Sequence, residues 1–122
     1  MKRIEKKIRE TNFSNLKAYA LCNAVNAVHA KDYKNKEFSV DGYVIAGVKI
    51  TDDDDTVREM TSLCLLTTDG VIIATNSIPM LDNFYNMLAV LKEENINLSD
   101  VKMIIKDGKC KEGSFNSIEF VL

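Results

Sequence analysis

Three combinations of an aromatic ring with lysines are the parts of this chain whose types and spacing could do chemistry. They are Tyr33 between Lys31 and Lys34, Tyr43 followed along the same run by Lys49, and Phe115 just after Lys109 and Lys111; Arg58 adds a further cation. An exposed ring stacks on any flat heterocycle and a cationic side chain neutralises a phosphate, so these types together suit a single nucleic-acid strand bound without regard to base order. Each also has an ordinary use. Phe115 reads equally as core, Tyr43 as a cross-strand packing partner, and the lysines as solubilising charges.

Other chemistries find little support. His29 is the one histidine, and Cys22, Cys64 and Cys110 are an odd count without CxxC spacing, which argues against a zinc site and a disulfide framework. Cys64 lies in the apolar run Leu63–Leu66 and reads as a small buried hydrophobe. The run Asp52–Asp55 is a poor calcium loop, because its acids are consecutive rather than alternate and lack the turn glycine and distal glutamate. No nucleophile motif is present, so neither an enzyme, a cofactor nor a metal is expected.

Charge is distributed unevenly. Residues 1–36 carry nine lysines and arginines against three acids, a net +6, which leaves −8 for the rest of a chain whose total is −2. A basic arm on an acidic body can touch nucleic acid, or dock on an acidic neighbour and so build a homo-oligomer. The charged opening, Met1 to Glu10, lacks the apolar stretch of a secretory signal, and no run is long enough to span a membrane, so a cytoplasmic protein is expected (host cytoplasm if viral) with no membrane partner.

The elements that would position these residues follow from periodicity. With 122 residues and 46% hydrophobic content one core is expected. Residues 1–36 read as a basic arm that holds a short helix or strand, with Ile4 and Ile8 four apart suggesting a short helix or frayed segment at its start and a weak helical pattern from Leu16 to Ala30. Residues 37–122 read as the β-rich body. Its first strand, Tyr43–Ile50, would put Val44, Ala46, Val48 and Ile50 in the core and Tyr43, Ile45, Gly47 and Lys49 on a half-exposed face, with Gly47 marking a bulge or bend. A second strand from Arg58 to Thr68 turns at Asp69-Gly70, expected as a type I′ turn, into a third over Val71–Thr75. Ser77 and Pro79 open a helix to Glu94 whose buried stripe would be Leu81, Phe84, Tyr85, Leu88 and Leu91. Val101–Lys106 and Phe115–Leu122 complete the body, joined by a loop that begins at Asp107-Gly108. The order β-β-β-α-β-β is that of an OB-fold-like barrel, a mainly β class with one central helix.

Residues 22–122 resemble the small single-stranded DNA-binding proteins of phages that infect Gram-positive bacteria, including the phi29-like group. The resemblance rests on Asn23-Ala24 or Asn26-Ala27 before a polar segment, Asp41-Gly42 opening a strand, the Asp-rich loop, and Thr67-Thr68-Asp69-Gly70 leading to Ala74–Ser77 and a helix. Lys106, Gly108, Lys109, Gly113, Phe115 and the closing Ile118–Leu122 complete it. It implies a protein that coats displaced strands during phage DNA replication. Where family members place stacking aromatics, three residues after the hairpin glycine and in the loop after the first strand, this chain has Ile73 and Asp52–Asp55, so stacking has to come from the residues above. The alternative is an OB-like protein–protein interaction module, from phage or host, without DNA binding.

Overall fold

The computed structural model describes residues 1–111 and 113–122, with Cys110 described by its backbone alone. The chain runs β1 (Arg3–Thr11), α1 (Asn15–Cys22), β2 (Val28–His29), β3 (Glu37–Phe38), β4 (Val40–Thr51), β5 (Val57–Thr67), β6 (Ile72–Thr75), α2 (Ile78–Glu93), β7 (Met103–Cys110) and β8 (Gly113–Phe120). The strands form a five-stranded sheet in the order β1-β4-β5-β6-β2 and a three-stranded sheet in the order β3-β7-β8. The fold is mainly β, and among the described residues there is no closed barrel. Only Ser39 separates β3 from β4, so one stretch of chain serves both sheets. Ser39 fastens the change of sheet by donating its Oγ–H to the Val101 carbonyl at 2.8 Å while its own carbonyl accepts from the Thr68 amide at 2.9 Å.

The segment expected as a short helix or frayed arm is a strand. β1 pairs antiparallel with β4 over most of its length, with a bulge between Ile8 and Glu10 that leaves Arg9 as the extra residue. A spacing of four puts two side chains on one face in a strand as well as in a helix, and the docking of Ile8 on the sheet selects the strand. The chain leaving β1 is clipped to β4: Thr11 Oγ1–H donates to the Tyr43 carbonyl at 2.7 Å, and Asn12 Oδ1 accepts from the Tyr43 amide at 2.9 Å. Residues 1–36 thus supply two strands, β1 and β2, to the same sheet as β4–β6.

β4 is buried on both faces, which reverses the expected reading of its alternation. Tyr43 and Ile45, expected on the half-exposed side, join Leu63, Leu65, Ile73, Met103, Ile105 and Ile118 in the main core, while Val44 joins a small second cluster with Ala18, Leu21 and Cys64 under α1. Helix α2 closes the main core. Ser77 caps it, its Oγ accepting from the Met80 amide, and Pro79 sits in its first turn. The buried stripe is Met80, Phe84, Met87 and Leu91, rotated from the expected one so that Leu81 and Leu88 flank it and Tyr85 reaches solvent.

Two turns differ from expectation. Only Gly70 in the β5–β6 connection has positive φ, at 87°, and the bonds Thr67 N–H to Val71 carbonyl and Gly70 N–H to Thr67 carbonyl define a three-residue loop rather than a two-residue type I′ turn. Asp107-Gly108 is no turn at all. β7 and β8 stay paired through Gly108↔Phe115 to Cys110↔Gly113, so the hairpin is longer than its turn-like sequence suggests. No helix among the described residues is long and apolar enough to cross a membrane.

Candidate nucleic-acid interface

The chain fastens the segments that carry two of the three aromatic–basic combinations to each other and buries the ring of the third. The turn at residues 31–36 lies against the β7–β8 hairpin, where the Asn35 amide donates to the Ile105 carbonyl at 2.8 Å and Lys34 Nζ donates to both carboxylate oxygens of Asp107 at 3.2 and 3.0 Å. Tyr33 is half-buried, its ring edge-on to Phe38 with centroids 5.6 Å apart, and Lys36 Nζ stands 5.1 Å from its centre. Lys36 was not among the expected contacts; a lysine three positions after an aromatic in a polar turn was the available signal.

Across the hairpin, Phe115 pairs with Gly108 and lays its ring over it: a Cβ on Gly108 would stand 2.5 Å from the Phe115 Cζ. The glycine serves the ring by its missing side chain. This apolar cover also explains why Asp107-Gly108 continues the strand. Phe115 remains half-exposed, and Lys109 and Lys111 near the hairpin's end are exposed. Lys31 is also exposed, so the hairpin carries a ring and lysines of its own and has the second ring and its lysines on the turn fastened to it at Asp107, the face of the hairpin opposite Phe115.

The remaining expected contacts lie elsewhere. Tyr43 is 9% exposed, packed edge-on against Phe84 with centroids 5.4 Å apart, and its hydroxyl donates to Glu10 Oε1 at 3.2 Å. It has no free face for a base. Burial, and then the neighbouring Glu10 charge, push its pKa up to about 12. Arg58 is held by Asp52 through paired bonds, Nε to Oδ2 at 3.1 Å and Nη2 to Oδ1 at 3.2 Å. Lys49 is exposed on β4 beside β1. Ile73 is 1% exposed and faces the main core.

Electrostatics near the other loop oppose a polyanion. In the Asp52–Asp55 turn, hydrogen bonds from Thr56 hold the Asp54 carboxyl below its ordinary range, so that loop stays charged and repels phosphate. Neither described thiol is primed as a nucleophile. Burial raises both Cys22 and Cys64, the latter to about 11. Among the described residues no three His, Cys, Asp or Glu side chains gather to hold a metal ion. Comparison of the chain with protein-family models, with curated proteins and with solved structures finds no match.

Proposed function

We propose that this protein binds single-stranded DNA without sequence preference, along the rim formed by the 31–36 turn and the β7–β8 hairpin. The observation that carries the reading is that the Lys34–Asp107 pair and the Asn35–Ile105 hydrogen bond fasten the turn bearing Tyr33, Lys31 and Lys36 to the β7–β8 hairpin bearing Phe115, Lys109 and Lys111, although the two segments are far apart in sequence. Rings flanked by cations are what sequence-tolerant strand binding requires, and among the described residues Lys31, Lys36, Lys109 and Lys111 have no carboxylate within 4.0 Å. Coating of displaced strands in phage replication is the biological role this reading implies.

An OB-like reading of the fold supports the same location. β4-β5-β6-α2-β7-β8 repeats the OB order, and the β3–β4 stretch shared by both sheets resembles the long first strand of a partly open barrel. OB-folds receive oligonucleotides on the second and third strands and on two flanking loops. Here α1 covers part of that sheet face, packing on Cys64, Leu66, Ile72 and Ala74, and one flanking loop is the Asp52–Asp55 turn. The β7–β8 hairpin is the flanking loop that keeps suitable chemistry.

One variant tests the rings apart from the charges. Phe115→Leu keeps an apolar cover for Gly108 but removes the π-face, and a stacked base is worth about 1–3 kcal/mol. The affinity for oligo-dT is expected to fall by that amount with the thermal midpoint little changed; unchanged affinity removes Phe115 from the interface.

A second reading, a protein-interaction module, is favoured by apolar side chains left in solvent on and after α1: Leu16, Tyr19 and Val25 are 84%, 61% and 102% exposed. The open edge of β1 is the corresponding route to a homo-oligomer, opposed by the charges along that strand. Recovery of a protein partner that DNA does not displace, together with no oligo-dT binding, would favour this reading.

A further inference from the structure

Gly47, in the middle of β4, opposes Lys7 on β1, and the β1 bulge sits two residues further along at Arg9. A Cβ on Gly47 would stand 2.7 Å from Arg9 Nε and 2.8 Å from Nη2, so the guanidinium lies over the glycine backbone. Gly47 is not required by its φ, since positive φ among the described glycines occurs at Gly70 and Gly113. Its missing side chain makes the place that Arg9 occupies, and the bulge gives Arg9 the aim to reach it. Lys49 lies beside this spot. Glu5, opposite Lys49 on one side, is held by Arg3 at 3.0 Å, and Glu59 is opposite it on the other. Among the described residues Lys7, Arg9 and Lys49 have no carboxylate within 4.0 Å.

These residues border an open groove of about 280 Å³, room for one oxyanion and several waters at about 30 Å³ each. A guanidinium laid on a strand, with two ammonium groups beside it, offers planar paired donors and point charges to the same anion. We propose that Arg9, Lys7 and Lys49 on the Gly47 floor form a phosphate-binding site. Its ligand is a phosphoryl oxyanion, supplied either by a nucleic-acid backbone or by free phosphate. The site shares no residue with the hairpin rim, so it stands or falls apart from the reading above.

The test follows the Gly47 amide and the Arg9 side-chain Nε–H by NMR while inorganic phosphate, and separately oligo-dT, is added to the full chain at low salt. A saturable shift of both signals is expected. Saturation by oligo-dT alone assigns the site to a nucleic-acid backbone, and saturation by phosphate alone assigns it to a small phosphate; either supports the site. Arg9→Gln removes the charge and Gly47→Ala displaces the guanidinium while keeping the charge, and each is expected to weaken binding about tenfold. Glu59→Gln removes the nearby competing charge and is expected to tighten it. Lys109→Ala with Lys111→Ala leaves the phosphate titration unchanged if the two regions are separate. Signals that move with neither ligand, or Arg9→Gln and Gly47→Ala chains that fold and bind like the parent, overturn the site; oligo-dT binding that persists at the hairpin in that case leaves the rim intact.

Discussion

The two faces of the five-stranded sheet are covered by helices of very different reach. On one side the sixteen-residue α2 lays Met80, Phe84, Met87 and Leu91 onto a core shared with β3, β7 and β8. On the other the eight-residue α1 buries only Ala18 and Leu21, ends where the Lys6 ammonium donates to the Cys22 carbonyl at 2.6 Å, and leaves Leu16 and Tyr19 in water. Burial scales with apolar area removed from water, so the α2 side carries most of the stability and the α1 side is a thin cover. The difference teaches where function has room: the α2 face is committed to holding the sheets together, α1 occupies part of the opposite face, and exposed chemistry is displaced to the rim.

Breaking the stronger face should have the largest effect. Phe84→Ala empties a fully buried aromatic site and is expected to cost about 3–5 kcal/mol in denaturant unfolding, a large share of the about 5–15 kcal/mol of an ordinary domain. Leu21→Ala, at the margin of the small cluster, is expected to cost about 2 kcal/mol and to leave the sheets folded. Equal costs for the two would contradict the asymmetry.

A smaller and more specific effect concerns Tyr43, which ties the α2 face to β1 through Glu10. The folded chain keeps the Tyr43 proton to about 12, whereas the unfolded chain releases it near the ordinary value of about 10. This contribution to stability is therefore whole below about pH 10 and is lost as pH rises from there towards 12. Stability measured across that window should fall more steeply for the natural chain than for Tyr43→Phe. Parallel curves would mean that the hydroxyl is hydrated rather than buried against Glu10.

Much of this was legible where one physical signal dominated. Ser77, Pro79 and a long apolar repeat define α2 locally, and the β5–β6 hairpin follows from Asp69-Gly70 between two β-prone runs, although the loop is one residue longer than a type I′ turn. The failures have equally local reasons. Ile4 and Ile8 satisfy both periods, so only the docking of β1 on β4 decides between them. Alternation in β4 cannot tell which face meets the larger core when both are buried, and that hid the burial of Tyr43. Gly47 and Gly108 looked like a bend and a turn, yet each makes room for a side chain from the neighbouring strand, Arg9 and Phe115. Such pairings depend on register, which a single strand's sequence does not contain. The same limit concealed Lys7 and Arg9, whose positions become meaningful only once the arm is a strand.

The most direct test of the proposed function is titration with a long oligo-dT across a salt series, comparing the natural chain with Lys109→Ala/Lys111→Ala. Each phosphate contact on a single strand contributes about 0.7 to the slope of log affinity against log salt. The account predicts salt-sensitive binding whose slope falls by about 1.4 in the double variant, with thermal stability unchanged. An identical slope in the two proteins, or no binding by the natural chain at low salt, would contradict it.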